Sequence, residues 1–327
     1  MKIAILDDYQ DALRHMEVFS RLGGHEVTTF RDTEKDPLKL AQRLQGFEAV
    51  LLIQQRSPFP RAVIERLPSL KLISQTGRNV NHIDVAACTE HGVIVSAGGG
   101  SNPNATAELA WGLILCSLRR IPQEVARLRS GQWQGSVGIG LAGKTLGIYA
   151  YGRIGSIVAK VGRAFDMRVL CWGREGSLAR AREAGFEAAS SREDFYATCD
   201  VISLHIAMNP QTRGIVTAAD LARMKPQALI VNTSRAGIIE KGALAAALDA
   251  GRPGLAAVDV YDDEPVLGAA DPLIGRDNVV CTPHLGYVEH QAYASLFGAA
   301  VDQILAFAAG KPINVQNEQA PGRNAAG

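Results

Sequence analysis

The 327-residue sequence predicts an α/β chain of two doubly wound parallel-sheet domains. Short apolar runs alternate with segments of helical period along nearly the whole chain. One strand–loop–helix–strand stretch, residues 144–173, carries a glycine-rich turn. The first hundred residues show the same alternation without such a turn. Alternation of this kind gives parallel sheets with helices on both faces, and the single glycine turn sets one domain apart from the other.

In the first domain, strands are expected over 2–6, 26–30, 49–53, 70–75 and 93–96. Helices are expected over 11–19, 37–44 and 61–67, where apolar residues recur at helical spacing. A glycine-rich crossing at 98–103 leads into a long helix beginning near Asn104. Its apolar residues lie on most sides (among them Trp111, Leu113 and Ile114), so it is expected to be buried between domains. A second helix spans 122–129.

After the glycine turn, helices are expected at 178–184, 192–197, 218–223 and 241–250. Strands are expected near 186 and at 200–205, 228–232, 255–260 and 279–282. A long amphipathic helix at 289–309 is expected to pack back on the first domain, and the tail after Asn317 has the composition of a disordered segment.

Composition narrows the function classes. Net charge is +1 with no long basic block, which argues against nucleic acid or an anionic membrane as main partner. No apolar run reaches the roughly 18 residues of a membrane span, and Asp7 and Asp8 interrupt the first apolar run too early for a signal peptide. The five cysteines lack C-x-x-C spacing, so neither a metal site nor a disulfide framework is expected; buried thiols in a reducing cytoplasm are.

The turn itself reads A-Y-G-R-I-G, Ala150 to Gly155. Gly152 allows a pyrophosphate to approach the backbone, Gly155 allows the helix to pack on its strand, and the free N–H groups of the helix start hold phosphate. The first position of this fingerprint is normally glycine; Ala150 costs about 1 kcal/mol if its φ is positive. The acidic residue expected about 20 residues later, to hold ribose hydroxyls, is replaced by Gly173 and Arg174. Room beside a guanidinium suits a 2′-phosphate, which favours NADP(H) slightly over NAD(H); Glu175 swinging back would serve NAD.

Ligands of open α/β sheets bind outside the carboxyl ends of strands. In the second domain that edge collects His205, Thr233-Ser234-Arg235, Asp259 with Glu264, and His284. The set suits reduction of a 2-oxo acid. Arg235 is a bidentate cation for carboxylate and carbonyl, His284 a proton donor, and Glu264 favours the imidazolium near neutral pH. Asp259 is a candidate to hold the nicotinamide carboxamide.

Several ordered motifs now add up: N-A-T-A-E-L-A-W (104–111), G-K-T-L-G-I-Y-A-Y-G-R-I-G (143–155), Leu204-His205 with N-P-Q-T (209–212), V-N-T-S-R-A-G (231–237), D-V-Y-D-D-E-P (259–265) and T-P-H-L-G (282–286). Together they resemble the D-isomer-specific 2-hydroxyacid dehydrogenase family, which includes phosphoglycerate dehydrogenases and glyoxylate/hydroxypyruvate reductases. The resemblance implies Arg235, Glu264 and His284 as the catalytic set. It implies cofactor contacts from Thr106, Arg153-Ile154, Thr233 and Asp259, to which Ala150, Gly152, Gly155, Gly173, Arg174, His205, Ile206, Ser234 and Gly286 are added by position. It also implies a flavodoxin-like substrate domain (1–99 and 287–327), an inserted Rossmann cofactor domain (100–286) and a homodimer built around the helix near Asn104.

The resemblance further implies that backbone amides around Thr76-Gly77-Arg78 bind the substrate carboxylate. Arg78, assisted by Arg56, is a candidate for a further anion on the substrate, with a rim salt bridge as the alternative; the substrate is expected to be of hydroxypyruvate, glyoxylate or 3-phosphoglycerate type. Departures from the family pattern are Ala150, the missing acid at 173, and Ile206-Ala207 where proline is usual. Two rival readings stand beside the enzyme: a non-enzymatic, NAD(H)-dependent regulator of the same fold, and an enzyme using another adenine cofactor such as S-adenosylmethionine.

Overall fold

In the computed structural model, which describes residues 1–100 and 102–317, the strand–helix alternation resolves into two units, each with its own sheet. Residues 1–100 with 289–317 form unit 1, and Asn102–Val288 form unit 2.

Unit 1 begins β1 (Lys2–Ile5), β2 (Glu26–Thr29), α1 (Pro37–Arg43), β3 (Ala49–Leu52), α2 (Arg61–Ile64), β4 (Leu72–Thr76), α3 (Val85–Glu90) and β5 (Ile94–Gly98). Its strands are all parallel in the order β2-β1-β3-β4-β5. The strands β3 and β4 are buried at every residue, as central strands covered on both faces should be; β3 is apolar throughout, while β4 ends in the buried polar residues Ser74, Gln75 and Thr76. The helix expected over 11–19 does not form. Two 3-10 segments, Leu13–His15 and Glu17–Leu22, replace it, separated by Met16 in extended backbone. The Asp8 carboxylate takes the Ala12 and Leu13 amides at 2.8 and 3.0 Å, which fixes the turn locally and leaves little apolar surface to hold a full helix. The helix α3 escaped sequence reading although Asp84 caps it through the Ala87 amide.

Unit 2 contains α4 (Pro103–Leu118), α5 (Ile121–Arg129), β6 (Thr145–Tyr149), α6 (Arg153–Ala164), β7 (Arg168–Trp172), α7 (Glu175–Glu183), β8 (Glu187–Ala188), α8 (Arg192–Thr198), β9 (Val201–Leu204), α9 (Ala218–Arg223), β10 (Leu229–Asn232), α10 (Ala243–Asp249), β11 (Leu255–Val258) and β12 (Val279–Cys281). Its seven strands are parallel in the order β12-β11-β10-β9-β6-β7-β8. The apolar side of α4, including Ala107, Ala110, Trp111 and Ile114, packs into the core of this unit with Ile148, Val158 and Val231. Trp111 donates its indole N–H to the Val158 carbonyl at 3.2 Å, so the helix is anchored to α6.

The last helix, α11 (His290–Ala308), belongs to unit 1 as expected: Ser74 of β4 donates to its Ala300 carbonyl at 2.9 Å. The chain then runs antiparallel beside β5, with Ala97 donating to Asn314 and Gln316 to Val95. That pairing covers a sheet edge that would otherwise expose unpaired backbone groups. The tail read as disordered, 318–327, lies outside the described residues.

Candidate active site and dinucleotide crevice

In the seven-stranded sheet the strand order reverses between β6 and β9, and a reversal leaves a crevice at the carboxyl ends of those strands. Ala150–Gly155 leave β6 there and His205-Ile206 leave β9. A β-carbon added to Gly152 would meet nothing within 4 Å, whereas one on Gly155 would lie 2.5 Å from the Ala150 carbonyl oxygen. The first glycine therefore leaves space outside the helix start and the second lets helix and turn touch. Both are what a bound pyrophosphate requires, and Arg153 and Ile154 form the first turn of α6 beside it.

Ala150 has φ +74°, the left-handed conformation in which an L side chain is disfavoured. Its amide donates to Trp172 and its carbonyl accepts from Gly152, so the turn closes despite the methyl group.

A cavity of about 340 Å³ opens beside the turn, lined by residues that include Trp172, Gly173, Arg174, Ser177, Arg192 and Ile206. No carboxylate lines it among the described residues. Glu175, the residue that would serve NAD by swinging back, is instead paired with Arg182 at 2.6 Å. Arg192 is neutralised by Asp220, while the exposed Arg174 guanidinium has no hydrogen bond or ion pair among the described residues.

At the same edge, His205 and Thr233 follow paired positions on β9 and β10. Neither ring nitrogen of His205 nor the Thr233 hydroxyl has a partner among the described residues, and all three atoms are closed off from bulk solvent. Burial pushes the His205 imidazolium down to about 4, so the ring is neutral. Ser234 is tied across to β9, donating its hydroxyl to the Leu204 carbonyl at 2.8 Å, and Asn232 closes the turn after β10 by donating to the Arg235 carbonyl at 3.0 Å.

The strands β10, β11 and β12 are neighbours, so the loops bearing Arg235, Glu264 and His284 leave one edge of the sheet. The structure brings Glu264 and His284 into contact: Glu264 Oε2 lies 2.6 Å from His284 Nδ1. The other Glu264 oxygen accepts the Tyr261 amide at 2.9 Å, which fixes the carboxylate. Both side chains are mostly buried. His284 has φ +53°, another left-handed non-glycine residue, and its amide closes a tight turn on Thr282. Tyr287 packs edge-on to the imidazole, its ring centroid 5.6 Å away.

Asp259 is fully buried and holds this loop. Its Oδ1 accepts from the Thr282 hydroxyl and the Leu285 amide, both at 2.7 Å, and its Oδ2 from the Gly286 amide at 2.9 Å. Burial raises its carboxyl above the usual range, and those bonds pull it back. The carboxamide role expected for Asp259 is thus preceded by a structural one. Thr106 of α4 donates to the Gly286 carbonyl at 2.8 Å, so two cofactor candidates are joined to the same clamp. Sequence reading missed Tyr261, Thr282 and Tyr287; the amides that bind Asp259 carry no side-chain signature.

Residues 111–286 match the family model described as D-isomer specific 2-hydroxyacid dehydrogenase, NAD binding domain. A glyoxylate reductase of Thermococcus litoralis is 32% identical, with 90% of this chain and 91% of that protein covered. The chain belongs to the D-isomer specific 2-hydroxyacid dehydrogenase family. The family's NAD-binding domain is therefore the part that carries the glycine turn and the Glu264–His284 contact. A solved Ralstonia solanacearum structure, described as a candidate D-3-phosphoglycerate dehydrogenase oxidoreductase, shares the fold at a TM-score of 0.95 with 47% identity, covering 98% of each chain. A D-3-phosphoglycerate dehydrogenase of Methanocaldococcus jannaschii is 35% identical over 93% of this chain, which spans 57% of that relative's length.

Among the described residues of unit 2 and unit 1, no group of three or more His, Cys, Asp or Glu is placed to hold a metal ion, and no helix is long and apolar enough to cross a membrane. In unit 1, Thr76 is buried and its hydroxyl oxygen accepts the Gln54 amide, at the end of β3, at 2.9 Å. Gly77 turns the chain with φ +79°, Arg78 is exposed, and Arg56 is buried.

Proposed function

We propose that the protein is an NAD(P)-dependent oxidoreductase that reduces a small 2-oxo acid to its D-2-hydroxy acid. The observation that carries this reading is the 2.6 Å Glu264–His284 contact at the ligand-binding edge of an NAD-binding domain. Bound in the crevice, the reduced dinucleotide supplies the hydride. Glu264 accepts from Nδ1–H and leaves Nε2 to deliver a proton to the developing alkoxide. Arg235 binds the carboxylate and carbonyl of the substrate. Gly152, Gly155 and the start of α6 hold the pyrophosphate, Thr233 offers a buried hydroxyl to the cofactor, and Thr76 and Gly77 shape the loop for the substrate carboxylate. The relatives named for glyoxylate reduction and 3-phosphoglycerate oxidation support this substrate class.

NADP(H) is the favoured form: the ribose-side cavity offers Arg174 and no carboxylate. Five free thiols suit a reducing cytoplasm. Exposed apolar residues on α5 and the loop after it, including Leu128, Trp133 and Val137, support a homodimer formed on this side of unit 2. Light scattering on the full chain tests that assembly.

The decisive experiment is steady-state oxidation of NADPH and of NADH with glyoxylate and hydroxypyruvate. Turnover that His284→Ala abolishes while cofactor binding persists supports the reading. Cofactor binding with no turnover on any 2-oxo acid would favour the regulator, for which the Glu264–His284 pair has no use. Binding of S-adenosylmethionine in place of both dinucleotides would favour the other cofactor.

A further inference from the structure

The loops that follow β3 and β4 are laced together at both ends. At their roots, the Gln54 amide donates to Thr76 Oγ1 at 2.9 Å and Gln75 Nε2 donates to the Gln54 carbonyl at 2.8 Å. At their far ends, the Phe59 amide donates to His82 at 2.8 Å and the Asp84 amide to Phe59 at 2.9 Å. Residues 55–58 and 77–81 therefore run side by side at the carboxyl edge of the unit 1 sheet, one bearing Arg56 and the other Arg78.

The two arginines are not equivalent. Arg56 is buried, and its charge acts on the buried carboxylate of Asp7. Arg78 is exposed and makes no hydrogen bond or ion pair among the described residues. The salt bridge that was its alternative role is not formed within unit 1. Beside it the chain offers a second kind of anion donor. The Gly77 amide is spent on the Gly98 carbonyl at 2.8 Å, but the amides of Arg78, Asn79 and Val80 donate to no described group. Three successive amides left free after a left-handed glycine are donors of the kind that one carboxylate takes. A full cation next to it finds use only when the ligand has another charge.

Resting on the reaction proposed above, we infer that the substrate is a 2-oxo acid with a second anionic group, phosphate or carboxylate, and that Arg78 is the residue that reads it. The monoanionic 2-oxo acids are then poor substitutes, because they leave the guanidinium without a partner.

The test is a comparison of kcat/KM for the full chain with its preferred reduced cofactor. Glyoxylate and hydroxypyruvate represent one charge, phosphohydroxypyruvate adds a phosphate, and oxaloacetate adds a carboxylate. At least one doubly charged substrate is expected to exceed the singly charged ones by about tenfold or more. In Arg78→Ala that ratio should fall by about 10- to 100-fold, chiefly through KM, and Arg78→Lys should recover part of it. A preference confined to phosphohydroxypyruvate assigns phosphate; one confined to oxaloacetate assigns carboxylate. No preference in the natural chain, or the same ratio after Arg78→Ala, overturns the assignment. No reduction of any 2-oxo acid overturns the reaction itself, and the assignment with it.

Discussion

Two residues in left-handed backbone, Ala150 and His284, stand at the two ends of the same chemistry. For Ala150 the strain has no visible return, since glycine would make the same backbone bonds. Replacing it by glycine relieves about 1–2 kcal/mol of left-handed strain, against about 0.4–1 kcal/mol for the freer unfolded chain. Relief wins, so Ala150→Gly should raise the unfolding free energy by about 0.5–1 kcal/mol; denaturant unfolding of the pure protein decides it, and a lower midpoint refutes the argument. For His284 the strain fixes where the imidazole stands. Loss of the proton donor in His284→Ala should cost about 100-fold or more in kcat, with cofactor affinity kept. Glu264→Gln keeps an acceptor for Nδ1–H but removes the charge opposite the imidazole, so kcat should fall by about 10-fold or more with cofactor affinity kept. Unchanged kcat in that variant would remove the carboxylate from the chemistry.

At the scale of elements, the loop from Thr282 to Gly286 depends on one buried carboxylate. Asp259→Asn replaces one acceptor by an NH2 group facing backbone N–H donors, so at least one buried donor is left unpaired. We expect unfolding to become easier by about 2–3 kcal/mol and turnover to fall even where unfolding is controlled for, because His284 rides on that loop. Wild-type turnover in a correctly folded Asn variant would remove Asp259 from the positioning of His284. Elements of this kind were largely legible beforehand. The strands of both sheets announce themselves as apolar runs between turns, and α6 by its glycine start. The misread stretch 11–19 and the overlooked α3 share a cause: both are short, and a single aspartate decides their conformation through backbone amides. Such a side chain-to-backbone bond leaves no periodic trace. The same limit applies to the candidate site, where Glu264 and His284 could be picked by strand-end position, but Tyr261 acts through its amide and Tyr287 through a ring edge.

Taken as a molecule, each unit holds an imidazole whose two nitrogens are closed off from solvent and have no partner among the described residues, His82 in unit 1 and His205 in unit 2. Burial lowers both to about 4, against about 6.5 in an unfolded chain. Below about 6.5 the unfolded chain takes up these protons and the folded one does not, so stability drains as pH falls and the loss ends only near the folded value. Between pH 6.5 and 5, above the range where paired carboxylates titrate, each histidine should remove about 1.5 kcal/mol. Urea unfolding across that window measures it, with a probe in each unit. Replacing His82 by glutamine should flatten the slope for unit 1 and leave that of unit 2, and His205→Gln the reverse. Equal slopes before and after both replacements would mean that the rings find partners in solution and that neither unit carries a buried neutral histidine.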